Sequence, residues 1–192
     1  KRSFARAISQ EPDKLEYYSR LFARECKTLH SKPCDTKAFE SVSEFFRGAV
    51  RDSKFFDDGQ KEKMLAFIDT VPEAVTCLHG DMHIGNILTT GDEIYWIDLS
   101  DFRYGNPMYD FGMLYFVAKC QDDEMCDRLF HLNAAQMSEV WYYIIDEYFG
   151  PDADKAVIEE QVKPFTALYD VFLGSRVMYP QMKKFVEDIL LK

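Results

Sequence analysis

Apolar residues recur at helical spacing through the first third of the chain. Leu15, Tyr18, Phe22, Cys26 and Leu29 lie three or four residues apart and predict an amphipathic helix from about Asp13 to His30. Asp13 and Glu16, just after Pro12, form a D-x-x-E start that resembles a capping box, and Ser31-Lys32-Pro33 closes the element. A second stretch, roughly Lys37 to Arg51, points Phe39, Val42, Phe46 and Ala49 inward. Past the turn signal Asp57-Asp58-Gly59, a third helix is expected over about Gln60 to Asp69, stopping before Pro72. The period then changes. Val75-Thr76-Cys77-Leu78 is a short β-prone run, and two more, 87–90 and 93–97, flank Gly91-Asp92, a two-residue hairpin signal. After Pro107 the pattern returns to helix. Residues 110–120 are apolar nearly all round and read as a buried helix. Further helices are expected over 133–149, closed by Gly150-Pro151, then over 154–163, 165–176 and 181–191. No internal repeat, low-complexity tract or flexible linker interrupts them. The expected class is α+β, mainly helical around one small hairpin.

Composition narrows what such a fold can do. The 192 residues are 47% hydrophobic and 15% aromatic, enough to bury a sizeable core and to exclude intrinsic disorder. The Phe and Tyr wealth, Trp141-Tyr142-Tyr143 included, is expected in that core. A formal net charge of −10 argues against a nucleic-acid partner. No apolar run reaches the roughly 18–20 residues of a membrane span, and Lys1-Arg2-Ser3-Phe4 does not open a signal peptide. Five scattered cysteines without a CxxC pair point to a reduced, cytoplasmic compartment. The chain opens on Lys1 rather than Met, as a piece of a longer protein would.

The polar residues that could carry chemistry gather around the hairpin: His79-Gly80-Asp81, His83, Asn86, Asp98 and Asp101. If Gly91-Asp92 is the turn, Thr90 faces Glu93, Asn86 faces Ile97, and Asp98 lies one residue beyond. Asn86 and Asp98 then share the open end of the hairpin, where an amide oxygen and a carboxylate can hold a hard cation such as Mg²⁺. Asp81 enters the same end five residues earlier, where it could take a proton from a substrate hydroxyl. An Asp base beside an Asn and a second Asp on Mg²⁺ is the division of labour of phosphoryl transfer.

The run His79-Gly80-Asp81-Met82-His83-Ile84-Gly85-Asn86-Ile87-Leu88, followed by Ile97-Asp98-Leu99-Ser100-Asp101, resembles the catalytic segment of the aminoglycoside phosphotransferase and choline kinase family. The resemblance implies a protein-kinase-like fold, ATP and Mg²⁺ as cofactors, and a small-molecule hydroxyl as phosphoryl acceptor. It implies that Asp81 is the catalytic base, Asn86 and Asp98 are the metal ligands, and His79 orders the loop. Pro107-Met108-Tyr109-Asp110 resembles the stretch that opens the next helix, where Asp110 braces that loop. His83 and Asp101 are candidate substrate-side residues. The family's nucleotide-covering loop and strand lysine have no counterpart among the nine glycines or ahead of the first helix. The expected domain is therefore one kinase-like C-terminal lobe over 1–192. Its catalytic loop and hairpin occupy 75–101, and its helical substrate-side region 110–192 plus 13–70. The surface facing the missing lobe could support a dimer.

Blander readings stand beside these. Asp81, Asn86 and Asp98 could be turn formers, and Asp110 a helix N-cap. His79, Asp81 and His83 form an H-x-D-x-H run that could ligate zinc in a hydrolase. Asp122-Asp123-Glu124 reads as a solvated loop. A non-catalytic acidic helical module, or an inactive kinase-like fragment, is the main alternative to an enzyme.

Overall fold

The computed structural model describes residues 1–192. The chain opens with a two-residue strand, β1 (Arg2–Ser3), and a short helix, α1 (Phe4–Gln10), neither of which the sequence pattern signalled. Ser3 ends the strand and caps the helix, its hydroxyl accepting from the Arg6 amide at 3.1 Å. Three helices follow, α2 (Leu15–His30), α3 (Val42–Asp52) and α4 (Asp58–Thr70). The strands come next: β2 (Thr76–Leu78), β3 (Ile87–Thr89), β4 (Ile94–Trp96) and β5 (Arg103–Gly105). Five helices complete the chain: α5 (Met108–Lys119), α6 (Asp123–Phe130), α7 (Ala134–Phe149), α8 (Lys155–Leu173) and α9 (Pro180–Leu190).

The hairpin register is the expected one. Ile87 pairs with Trp96, Leu88 with Tyr95 and Thr89 with Ile94, so Asn86 faces Ile97, whose amide donates to the Asn86 carbonyl at 3.0 Å. Gly91 takes φ 103° at the turn, a conformation that costs glycine nothing. The hairpin is not isolated: β1 adds a third antiparallel strand against β3. A second, two-stranded sheet joins β2 to β5, with Leu78 opposite Arg103. It carries the chain into the loop at residue 79 and back out of the loop ending at residue 102.

The helices pack as one core. Helix α5 has no polar face and is buried by α7 and α8, while α2 lies against α7 and α9 against α8. Close approach of α5 and α8 depends on Gly112. A Cβ there would stand 2.7 Å from the Phe165 Cβ, and the Thr166 hydroxyl bonds the Gly112 carbonyl at 2.9 Å. Trp141 is fully buried, its indole N–H bonded to Glu159, while Tyr142 is exposed.

Several expected boundaries shift, each for a local reason. Helix α2 has no capping box: Pro12–Lys14 form a 3₁₀ turn and Lys14 takes the cap position without a side-chain bond. Helix α3 starts at Val42, because 36–39 are turns and Phe39 is exposed against Phe102 instead of pointing inward. The box pattern is real at α4, where Asp57 and Gln60 exchange bonds. Asp122-Asp123-Glu124 is no loop: the Asp122 carboxylate caps α6 by accepting from the Met125 amide at 2.9 Å. The helices expected over 154–163 and 165–176 are one helix, α8, which continues through Pro164.

Candidate active site

The two motifs meet at a backbone contact. Gly80 has φ +83°, and a Cβ on it would stand 1.9 Å from the Asp101 carbonyl oxygen. Only glycine lets residues 79–81 lie against residues 99–101 so closely. Asp81 and Asp101 then wall one narrow cleft of about 160 Å³ with Arg103, Phe46, Tyr169 and Phe172. Arg103 stacks on Phe45 at 3.7 Å and bonds the Asp101 carbonyl at 2.8 Å.

Asp110 lies beneath this loop. Its side chain is fully buried and accepts from the His79 amide and the Gly80 amide, both at 2.8 Å. His30 from α2 approaches the same carboxylate through Nε2 at 3.0 Å, and its Nδ1 meets the Tyr148 hydroxyl at 2.8 Å. Asp110 is not the N-cap of α5. Pro107 takes that position, and the carboxylate is turned inward. The Tyr169 hydroxyl donates to the Gly80 carbonyl at 3.0 Å, so the loop is gripped from both sides. Sequence reasoning missed His30 and Tyr169. Both sit on apolar helix stripes, and only tertiary packing brings them to the loop.

His79 is buried against Trp96, with Nε2 at 3.0 Å from the Ile97 carbonyl. Its Nδ1 accepts the Asp81 amide at 3.3 Å. Burial lowers its pKa and keeps the ring neutral. His79 therefore clamps the Asp81 end of the loop to the strand end before Asp98. Both of its nitrogens are engaged, and no three His, Cys, Asp or Glu side chains converge on a metal position, so the zinc reading fails. His83 packs edge-on to Phe130 and accepts the Gly85 amide at 3.1 Å. Its Nε2 lies 3.5 Å from the Asp81 carboxylate.

Asp81 is partly exposed at the cleft. Burial pushes its carboxyl up, but His83, through a hydrogen bond and its charge, and the Asn86 amide outweigh that and hold it below the ordinary Asp value. It is thus ionised at neutral pH. Asn86 Nδ2 donates to the Asp81 carboxylate at 2.9 Å and to its carbonyl at 3.0 Å. Two acceptors fix that end of the amide as nitrogen and leave Oδ1 unbonded. Asp98 stands exposed in the left-handed region, at φ 55° and ψ 59°, with one oxygen accepting from Ser100 at 3.1 Å. An amide oxygen and a carboxylate make an all-oxygen donor pair. That fits a Mg²⁺ that takes few protein ligands and completes its shell with phosphate and water.

The fold is similar to those of the solved structures of an amicoumacin kinase in complex with AMP-PNP, Ca²⁺ and Ami, and of a choline/ethanolamine kinase family protein from Mesorhizobium loti. The TM-scores are 0.56 and 0.51 at 14% identity, covering 99% and 100% of this chain and 60% and 63% of those chains. The model of the phosphotransferase enzyme family matches residues 10–140, and the chain belongs to that family. Stress response kinase A of Salmonella choleraesuis is 31% identical over 115 residues, which cover 53% of this chain and 35% of that protein. The serine/threonine protein kinase RdoA of Salmonella typhimurium matches to the same extent. The chain thus spans about a third of the curated relatives it matches. No helix is long and apolar enough to cross a membrane.

Proposed function

We propose that this chain is the catalytic, C-terminal lobe of an ATP- and Mg²⁺-dependent kinase that phosphorylates a hydroxyl group on a small molecule. The observation that carries the reading is the Asp81 carboxylate. It is ionised, bonded to Asn86, and held on a loop braced by Asp110, beside a cleft and at the open end of the hairpin. Asp81 orients the acceptor hydroxyl and takes its proton as the oxygen attacks phosphorus. Asn86 Oδ1 and the Asp98 carboxylate hold Mg²⁺, which when bound neutralises phosphate charge. Asp110, His79 and Tyr169 keep the base where the hydroxyl arrives, and His83 and Asp101 flank it. The curated relatives named as kinases and the kinase-like solved structures support this reading.

The test is Asp81→Asn in the full-length protein. Asparagine keeps the size and cannot take the proton, so turnover should fall about 10²–10⁴-fold while the melting temperature stays near wild type. Near wild-type turnover on the cognate acceptor would remove Asp81 from the role of base. One relative is named a serine/threonine protein kinase, and the second reading is that the acceptor hydroxyl belongs to a protein. Label from γ-³²P-ATP should appear in the small-molecule fraction under the main reading and in protein bands under this second one.

A further inference from the structure

The five cysteines are scattered in sequence, but the fold brings two of them together. Past the end of α2, residues 32–34 run antiparallel beside β2. Pro33 opposes Thr76, the Cys34 amide donates to the Val75 carbonyl at 2.7 Å, and the Cys77 amide donates to the Lys32 carbonyl at 3.0 Å. Proline fits at that step because its neighbours make both ladder bonds. Side chains alternate across such a ribbon. Cys34 and Cys77, each one residue on from the Pro33–Thr76 pair, therefore lie on the same face. Both are free thiols, Cys34 half-buried and Cys77 buried. Burial, and then the adjacent Cys77 thiol, push the Cys34 thiol up to about 11. The pair also flanks the brace of the Asp81 loop. His30, whose ring meets the Asp110 carboxylate, lies four residues before Cys34. The His79 amide, bonded to the same carboxylate, lies two residues after Cys77. A covalent bond between residues 34 and 77 would close a ring through the end of α2, Asp110 and β2. It would also turn the segment that carries α3 and α4 into a closed loop.

We propose that Cys34 and Cys77 are an oxidative modification site. A low-molecular-weight disulfide converts the two thiols to an intramolecular disulfide, which staples the end of α2 to β2 and stiffens the loop that carries Asp81. The Cys34 sulfur, the more accessible of the two, attacks one sulfur of the oxidant. The oxidant's S–S bond breaks, and its other sulfur leaves as a thiol with the Cys34 proton. The Cys77 sulfur then attacks the Cys34 sulfur, the mixed disulfide breaks, and a second small thiol leaves with the Cys77 proton. Two protein thiols are oxidised and one small disulfide is reduced to two thiols; a small dithiol runs the exchange backwards. Closure brings the sulfurs to about 2.05 Å, a movement that residues 32–34, outside any helix, can follow. Little of the Cys34 thiol is ionised at neutral pH, so the first step is slow. The pair stays a dithiol in reducing surroundings and closes under sustained oxidant. None of this depends on the phosphoryl-transfer reading.

The experiment incubates the reduced full-length protein with oxidised glutathione, then reads peptide masses, melting temperature and amide hydrogen exchange. A cross-linked peptide pair holding Cys34 and Cys77, two hydrogens lighter than the separate peptides, should appear. The melting temperature should rise by at least about 4 °C, because loop-closure entropy is removed from the unfolded chain. Exchange of the His79 and Gly80 amides should slow by at least about threefold. Dithiothreitol should reverse all three changes. Cys34→Ser should melt like the reduced wild type and show none of them. A product that stops with glutathione retained on Cys34, or that joins two copies of the chain, overturns the proposal. So does a closed disulfide that leaves melting and exchange as they were, or the same changes in Cys34→Ser. The cross-link is read in the wild type, so its absence overturns the proposal even where Cys34→Ser does not fold.

Discussion

Asp110 and Asp170 are both buried carboxylates, and their surroundings make them opposites. Asp110 accepts two loop amides and meets His30, so its charge is compensated. Removing it leaves three polar groups without a partner inside the core. Asp110→Ala should cost about 3 kcal/mol or more, which lowers the melting temperature by roughly 6–12 °C in a protein of this size. A melting temperature within about 2 °C of wild type would show that the brace is energetically idle. Asp170 has no such compensation, and its carboxyl lies at about 7 instead of the ordinary 3.8. Between those values the folded protein holds a proton that the unfolded chain has released. Stability therefore falls as pH rises through that window, and the loss is complete above it, on the order of 4 kcal/mol. Asp170→Asn should flatten this slope and be more stable than wild type at pH 8, with a smaller margin at pH 5. Urea unfolding at the two pH values measures it, and an unchanged slope would place the titration elsewhere.

At the scale of elements, what the sequence discloses depends on where the determinants lie. The hairpin register is legible because two turn residues, Gly91 and Asp92, fix every pair outward to Asn86 and Ile97. The stripe of α2 and the long apolar runs of α5 and α7 are legible because each extends over several turns. Strands β1 and β5 are not, since two or three residues carry no period and exist only through partners at Thr89 and Leu78. Pro164 argues for a break that does not occur, because packing on α5 outweighs one lost helix bond. Asp110 looks like a cap from its distance after Pro107, yet the side chain is spent on the loop. The candidate site was legible as a list of residues. Its supports, His30 and Tyr169, were not. Gly112 shows the same limit for substitutions. By local propensity Gly112→Ala should gain about 1 kcal/mol in a helix interior. The new Cβ would stand 2.8 Å from the Phe165 carbonyl carbon and 3.0 Å from the Thr166 amide nitrogen, and backbone cannot swing aside. Overpacking of that kind costs about 1–3 kcal/mol or more, so a net fall in melting temperature is expected. A rise would mean that α5 and α8 can separate without loss.

For the molecule as a whole, the division of labour in phosphoryl transfer sets the last expectation. Catalysis of this kind is positioning plus charge stabilisation. On the proposed reading, the 192 residues supply Asp81 as the base side, and Asn86 with Asp98 as the metal side. They carry no glycine-rich loop and no strand lysine of the kind that covers and grips nucleotide phosphates. The surroundings of the metal side are also acidic: the chain has a net charge of −10, and Asp101 stands three residues from Asp98. A nucleotide polyphosphate approaching them is repelled unless Mg²⁺ accompanies it. The 192-residue chain alone should therefore bind Mg²⁺-nucleotide weakly and nucleotide without metal hardly at all. Its turnover should be negligible beside that of the full-length protein. Raising ionic strength should relieve part of the repulsion of the free nucleotide, since exposed charges are screened within about 8–10 Å. Nucleotide titration with and without Mg²⁺, on the chain and the full-length protein at matched concentration, measures all three. Equal turnover in the two would mean that residues 1–192 grip the nucleotide by themselves, and the lobe assignment would fall with that result.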